Sequence, residues 1–121
     1  MDKIIIKDLL VRGILGINPE EREKLQDILI NIVLVVDVRQ AAATDAIEDA
    51  VNYKSITKRI IDHVEASSDL LVEKLVTDLA RLILCENEGV ERVQVRVEKP
   101  GALRFARSVG IEIDRTRADF A

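Results

Sequence analysis

The sequence predicts an α+β domain in which helices cover one face of an antiparallel sheet. Two stretches rich in β-branched residues open the chain, two stretches with helical periodicity follow, and two alternating stretches close it, so the predicted order is β-β-α-α-β-β. Helices grouped between pairs of strands are typical of this class. The 121 residues have the length of one domain, and we predict a single unit over residues 1–121.

The first strand is predicted at Ile4–Val11, which is apolar and β-branched. Gly13 and Gly16 follow it and indicate a tight turn. Pro19–Arg22 then begins like a short helical turn with Asn18 as its cap, because proline is favoured in the first turn of a helix.

Gln26–Val38 is the most β-rich stretch and is predicted to be the second strand. Its apolar residues occupy both faces, with Ile28, Ile30, Ile32, Leu34, Val36 and Val38 on one and Leu29, Val33 and Val35 on the other. A strand that is apolar on both faces is usually covered on both. In so short a chain, we expect another subunit to cover the second face.

Two helices are predicted in the middle of the chain. Tyr53–Ala66 and Leu70–Glu86 each carry apolar residues at helical spacing, and Ser67–Asp69 separates them. A short turn is predicted ahead of them at Thr44–Asp49. The apolar stripes consist of Ile56, Ile60, Ile61 and Val64 in the first helix and of Leu71, Leu75, Leu79 and Leu82 in the second.

The last two strands follow the helices. Val90–Glu98 alternates valine with polar residues, and Pro100 ends it. Val109, Ile111 and Ile113 alternate with polar residues in the final strand. The intervening side chains must face water or a wet interior, and they include Gln94, Arg96, Glu112 and Asp114.

Composition and charge exclude several functions. Aromatic residues make up 2% of the chain, too few for a base-stacking platform, and a net charge of -4 with no basic run gives no support for nucleic-acid or anionic-membrane binding. No apolar stretch has the length of a bilayer span, and the N-terminal residues lack the apolar core of a signal peptide. We therefore expect a cytoplasmic protein with no nucleic-acid or membrane partner.

Metal-binding and nucleophile patterns are absent from the sequence. His63 is the one histidine and Cys85 the one cysteine, which is far short of a zinc-type ligand set and allows no internal disulfide. We interpret His63 as an ordinary surface residue and Cys85 as a small core residue. No metal site is predicted.

Four polar residues stand at junctions between predicted elements, namely Glu21, Tyr53, Glu73 and Lys99. Each has an ordinary structural interpretation. Glu21 and Lys99 are then solvated charges, Tyr53 is a half-buried packing residue, and Glu73 favours the helix dipole. The pattern alone indicates an α+β domain that forms oligomers, and nothing more.

Five motifs in a fixed order resemble the dihydroneopterin aldolase family. They span nearly the whole chain and consist of Gly16–Arg22 with Gln26, Asp45–Asp49, Val51–Tyr53, Leu71–Leu75 and Lys99–Ala102. The resemblance implies the tunnelling fold, in which four subunits join their antiparallel sheets into a barrel with helices outside and two such rings stack into an octamer. It thus implies a homo-oligomer, a tetramer or an octamer, with active sites between subunits.

The resemblance also implies a role for each junction residue. Glu73 is the substrate anchor, whose carboxylate accepts two parallel hydrogen bonds from the pterin ring. Lys99 and Tyr53 are catalytic, with Tyr53 contributed across a subunit interface, and Glu21 positions the lysine and a bound water. Backbone groups near the remaining substrate-binding residues, Val51, Leu71 and Val72, complete the site.

The reaction so implied is retro-aldol cleavage of 7,8-dihydroneopterin, a step of folate biosynthesis, with no cofactor, metal or Schiff base. Two alternatives stay open. Asp27–Asn31 and Ala102–Val109 are also similar to the closely related dihydroneopterin triphosphate epimerase. Two uses of Arg104 and Arg107 stay open, an ordinary solvated charge, which is the more frequent use of a strand-edge arginine, and contact with a substrate phosphate. The second alternative is an assembly that binds a pterin or purine without catalysis.

Overall fold

A four-stranded antiparallel sheet forms the centre of the protein in the computed structural model, which describes all 121 residues. The strands lie in the order of the chain and are β1 (Asp2–Gly13), β2 (Gln26–Val36), β3 (Arg92–Pro100) and β4 (Ser108–Thr116). Each strand pairs antiparallel with the next. The predicted α+β class and antiparallel sheet are confirmed.

Four α-helices lie between and beside the strands. They are α1 (Pro19–Glu23), α2 (Arg39–Thr44), α3 (Tyr53–Ala66) and α4 (Val72–Glu86). Short 3₁₀ turns follow at Ile47–Asp49 and Arg117–Phe120. None of the four helices is both long enough and apolar enough to cross a membrane.

The two long helices cover one face of the sheet. On that face Ile30 of β2 is paired with Val97 of β3, and Ile32 with Val95, and all four are buried. The helix residues packed into the same core include Ile56, Ile60 and Val64 of α3 and Leu75, Leu79 and Ile83 of α4. Burial of each such side chain contributes about 1.5–3 kcal/mol. The predicted stripe of the second helix is buried at Leu75, Leu79 and Leu82, but Leu71 is 51% exposed, because α4 begins one residue after it.

The opposite face is apolar on one half and charged on the other. Ile5 and Leu10 of β1 are 68% and 57% exposed there. On β3 and β4, the Arg92 guanidinium is paired with the Asp114 carboxylate at 2.5 Å, and Arg96 is hydrogen-bonded to Glu112. The predicted polar face is therefore present. Its cover by another subunit stays a prediction.

The segment after β2 differs from the prediction. The strand ends at Val36 rather than Val38, and α2 begins three residues later. Gln-Ala-Ala-Ala is a run of good helix formers, which favours a helix over a continued strand. Asp45 ends α2 in the left-handed region at φ 57°, so the predicted turn is confined to Ile47–Asp49.

Two single-residue predictions were wrong. Cys85 is exposed, because the α4 positions that face the sheet are those of Leu79, Ile83 and their neighbours, and Cys85 falls on the outer side. His63 is half-buried rather than a surface residue, and its Nε2 atom is buried without a hydrogen-bond partner.

Candidate active site

A lysine and a glutamate that are far apart in sequence meet at one end of the sheet. Lys99 lies on β3 two residues beyond Val97, on the helix-covered face, and its ammonium donates a hydrogen bond to Glu21 Oε2. The two side chains are 11% and 19% exposed. The pair is thus largely screened from water, yet it lies beside the strand end, where the hydrophobic core stops.

Backbone geometry directs Glu21 toward this position. Glu21 belongs to the short helix α1, and its Oε1 accepts a hydrogen bond from the Asn18 N–H at 3.3 Å. The carboxylate packs against the Cα of Gly16, whose φ of +131° is unfavourable for other residues. A Cβ at this position would overlap the carboxylate, so the site requires glycine on two counts.

The lysine also sets the charge of the glutamate. The hydrogen bond from Lys99 holds the pKa of Glu21 below its usual 4.5, and this outweighs burial, which raises the pKa. The Asn18 N–H and the Gln26 side chain lower the pKa further. Glu21 is therefore ionised at neutral pH, and the two groups form a true ion pair.

The start of α4 lies at the same end of the sheet. The Gly16 N–H donates to the Asp69 carbonyl at 3.1 Å, which ties the loop before α4 to the glycine turn. Leu71, Val72 and Glu73 follow directly. The Glu73 carboxylate is exposed and makes no hydrogen bond or ion pair within the chain, whereas the neighbouring Lys74 is paired with Asp78 at 2.6 Å.

Val51 and Tyr53 lie at the other end of the sheet. They line a small apolar hollow with Ile4 and Val36, and Tyr53 is 58% exposed. β2 runs from Gln26, beside the glutamate, to Val36, beside the tyrosine, and its 11 residues span roughly 30 Å. One chain thus brings together Glu21, Lys99 and the start of α4, but not Val51 and Tyr53.

Two residues of this region had no assigned role in the sequence analysis. The Gln26 side chain donates to the Leu15 carbonyl and contributes to the lowered pKa of Glu21. The Arg22 guanidinium donates to the carbonyl oxygens of Gly16 and Asp69, both at 3.1 Å, and to that of Ser68 at 2.6 Å. The sequence signal for both residues was the Glu-Glu-Arg-x-x-x-Gln spacing, which contains Glu21, Arg22 and Gln26.

Groups of three or more His, Cys, Asp or Glu side chains that could hold a metal ion are absent. His63 and Cys85 line a shallow groove between α3 and α4 on the outside of the molecule, with Arg59 and Arg81 beside them. This groove is remote from the Lys99–Glu21 pair, since it lies on the helix surface that faces away from the sheet.

Known proteins resemble this chain over almost its full length. The family model described as "FolB: Dihydroneopterin aldolase" matches residues 4–114. The chain is 42% identical over 113 residues to a dihydroneopterin triphosphate 2'-epimerase of Pseudomonas aeruginosa, covering 93% of this chain and 91% of that protein. It is 40% identical over 102 residues to a dihydroneopterin aldolase of Streptomyces coelicolor, covering 84% and 85%.

A longer relative and a solved structure extend the comparison. The chain is 42% identical over 116 residues to the folic acid synthesis protein FOL1 of Dictyostelium discoideum, but it spans only 18% of that protein's length. It superposes on the crystal structure of Escherichia coli dihydroneopterin aldolase in complex with neopterin with a TM-score of 0.91, 31% identity, and coverage of 95% of this chain and 99% of that one. The chain belongs to the dihydroneopterin aldolase family.

Proposed function

We propose that this protein cleaves 7,8-dihydroneopterin into 6-hydroxymethyl-7,8-dihydropterin and glycolaldehyde. The observation that carries the proposal is the largely buried Lys99–Glu21 ion pair, which lies at the same end of the sheet as the unpaired carboxylate of Glu73. A site for a polar heterocycle needs both a hydrogen-bonding anchor and a proton-transfer group. Family membership and the neopterin bound to the Escherichia coli relative support a reduced pterin as the substrate.

Substrate binding in this proposal depends on the start of α4. The Glu73 carboxylate accepts hydrogen bonds from the pterin 2-amino group and from N3–H, a bidentate arrangement that fixes the plane of the ring. Peptide groups of Leu71 and Val72 lie at the first turn of α4, where backbone N–H groups have no partner within the helix. They are available to the acceptor edge of the ring.

The chemical step uses the pterin itself as the electron sink. The 2'-hydroxyl passes its proton to a water beside Tyr53 as the C1'–C2' bond breaks and glycolaldehyde leaves. The electrons of that bond form a C6=C1' double bond, and the π electrons of the C6=N5 imine move onto N5. Lys99 supplies the proton that N5 takes up, and Glu21 orients the ammonium through its hydrogen bond. C1' is then protonated and N5 returns its proton. Because the imine is already present in the substrate, the step requires neither a metal nor a Schiff base.

Tyr53 and Val51 enter the proposed site from a neighbouring subunit. Their own chain holds them roughly 30 Å from Gln26, at the far end of β2, so they cannot reach its lysine. Tyr53, through a water, would carry protons at the substrate side chain. β1 and β4 are the edge strands of the sheet, and pairing between edges of neighbouring subunits would close the barrel of the tunnelling fold.

Oligomer size tests the shared site directly. We expect light scattering of the purified protein to give the mass of a tetramer or an octamer, because a complete site needs both ends of the sheet. A monomer of 13.6 kDa in dilute solution that still turned over the substrate would contradict the shared site.

Product analysis tests the reaction. The purified protein is incubated with 7,8-dihydroneopterin in the presence of a chelator, and the pterins are resolved by chromatography. We expect 6-hydroxymethyl-7,8-dihydropterin and one equivalent of glycolaldehyde. No change in the pterins, with binding of neopterin retained, would instead support an assembly that binds pterins without catalysis.

A second candidate is the dihydroneopterin triphosphate 2'-epimerase activity. The 42% identity to the Pseudomonas aeruginosa epimerase over nearly its full length favours it. The two reactions share an intermediate, since aldehyde that turns over and adds back inverts the 2' centre. The exposed Arg104 and Arg107 lie in the loop directly after Lys99 and would meet a phosphate. A kcat/KM for the triphosphate far above that for the free compound, with monapterin as the main product, would assign this activity.

A further inference from the structure

Arg22 joins two segments that are distant in sequence. Its guanidinium donates to the carbonyl oxygen of Gly16 in the glycine turn and to the carbonyl oxygens of Ser68 and Asp69 in the loop before α4. We call Arg22 and these three acceptors the carbonyl clamp. All three acceptors are backbone carbonyl groups, and no carboxylate lies within ion-pair distance of Arg22. The guanidinium therefore forms hydrogen bonds only to the two segments that it joins.

Each side of the clamp leads to one half of the proposed site. On one side, Glu21 precedes Arg22 in α1 and holds the ammonium of Lys99. On the other side, Asp69 lies four residues before Glu73. The Glu73 carboxylate has no partner of its own, so its position depends entirely on where α4 begins.

The geometry of the carbonyl clamp fixes the distance between the glycine turn and the loop before α4, in addition to stabilising the fold. A planar guanidinium presents its N–H donors in a rigid fork, and here it spans two segments at once. The Asp69 carbonyl oxygen receives both Arg22 and the Gly16 N–H, each at 3.1 Å. Two donors from different residues on one acceptor restrict the loop in more than one direction.

We propose that Arg22 is a positioning residue that sets the spacing between the Glu73 carboxylate and the Lys99 ammonium. A pterin ring anchored on the first group then brings its N5 to the second. The inference rests on the function proposed above. Catalysis is sensitive to misplacement of about 1 Å, so a clamp at this junction controls both binding and turnover without touching the substrate.

The test is a double-mutant cycle between Arg22 and Glu73, read as the dissociation constant for neopterin by fluorescence titration. We expect Arg22→Met to weaken neopterin binding at least tenfold in the parent protein but less than twofold in the Glu73→Gln background. Arg22→Lys should give an intermediate loss, because one ammonium cannot reach three carbonyl groups in the same geometry. Arg59→Met is the matched control, since Arg59 also links two segments but pairs with the exposed Glu86 on the outer surface.

The outcomes separate a positioning role from a structural one. Equal losses in both backgrounds, or no loss for Arg22→Met at a temperature where circular dichroism shows it folded, would overturn the inference. If Arg22→Met does not fold, the same cycle with Arg22→Lys decides. A parent protein that neither binds neopterin nor cleaves dihydroneopterin would overturn the proposed function itself, whereas a parent protein that does both without coupling to Arg22 would overturn only this inference.

Discussion

The two ends of the sheet are built differently. At the end that carries Gly16, Glu21 and Lys99, here called the lysine end, the Lys99 and Glu21 side chains are paired with each other and largely buried. At the end that carries Val51 and Tyr53, here called the tyrosine end, the tyrosine is 58% exposed beside an apolar hollow. One chain therefore pairs its polar groups internally at the lysine end and presents its tyrosine outward at the other end.

The contacts at the two ends also differ in range. The Lys99–Glu21 hydrogen bond joins residues 78 positions apart, so the lysine end exists only when β3 has paired with β2. The tyrosine end is held by local contacts, such as the Asn52 side chain that accepts from Ser55 N–H at 3.0 Å at the start of α3. Substitutions at the lysine end should therefore affect chemistry and folding together, whereas those at the tyrosine end should affect chemistry alone.

Lys99→Met should produce the largest effect on activity. We expect kcat for dihydroneopterin cleavage to fall about 10³-fold, since a positioned proton donor contributes 10²–10⁴-fold, while neopterin binding changes little. Product formation followed by chromatography measures the loss, and Lys58→Met on the exposed surface of α3 is the control. Full turnover by Lys99→Met would show that the lysine end takes no part in the chemical step.

Tyr53→Phe should lower kcat by about 10²-fold, and it also tests which subunit supplies the tyrosine. Co-expression of Tyr53→Phe and Lys99→Met chains with different tags yields mixed oligomers. If the site is shared, random mixing restores both native residues in about a quarter of the sites, because each site draws on two neighbouring chains. Mixed oligomers with no more activity than the parent variants would show that both residues act within one chain.

Gly16→Ala and Gly101→Ala form a matched pair for the lysine end. Both glycines have positive φ, at +131° and +74°, so alanine strains the backbone at each. At Gly16 the new methyl group also overlaps the Glu21 carboxylate, whereas at Gly101 nothing lies within 4 Å. We expect each variant to lose about 1–3 kcal/mol of stability by thermal denaturation, but only Gly16→Ala to lose about tenfold or more in kcat. Equal activity losses would mean that strain alone is responsible.

The sequence was informative wherever periodicity decides the structure. The alternation around Val93 and Val95 and the stripe through Leu75 and Leu79 follow directly from the geometry of strands and helices, and those elements were predicted. α2 was not, because Arg39–Thr44 is a short surface helix with no apolar stripe that a pattern could reveal.

The candidate site was predictable as residues but not as an arrangement. The family resemblance implied that Glu21 positions Lys99, but the residue pattern by itself does not show that two side chains 78 positions apart are in contact. Arg22 belongs to the first motif, but the motif gave it no role, because its acceptors are backbone carbonyl groups, which every residue carries. The distance between Tyr53 and the lysine end was likewise outside the reach of the sequence, since it is set by the length and direction of β2.

Lowering the pH should change the stability of the two ends differently, and this effect should be smaller than those of the substitutions above. The pKa of Glu21 is held below 4.5 in the folded protein, so its ion pair stabilises the fold fully above that pH and loses this contribution as the pH falls through the folded pKa. We expect Glu21→Gln to cost about 1.5–3 kcal/mol at pH 7, the scale of a hydrogen bond to a charged group, and less at pH 3. Urea unfolding at fixed protomer concentration measures the difference.

Asp37→Asn at the tyrosine end is the counterpart of this experiment. Arg39 lowers the pKa of Asp37 to about 2, a clear shift. However, the Asp37 side chain is 41% exposed and the Arg39 side chain is 87% exposed. Water and salt screen such a pair, so its lowered pKa should bring no comparable stability. In 0.5 M salt, we expect Asp37→Asn to have the same urea midpoint of unfolding as the parent protein, whereas Glu21→Gln keeps its lower stability. The reason is that burial, rather than the size of the pKa shift, determines how much an ion pair contributes to stability. If Asp37→Asn and Glu21→Gln lost the same stability in high salt, the ion pair at the tyrosine end would contribute as much as the one at the lysine end. The contrast between the two ends would then fail.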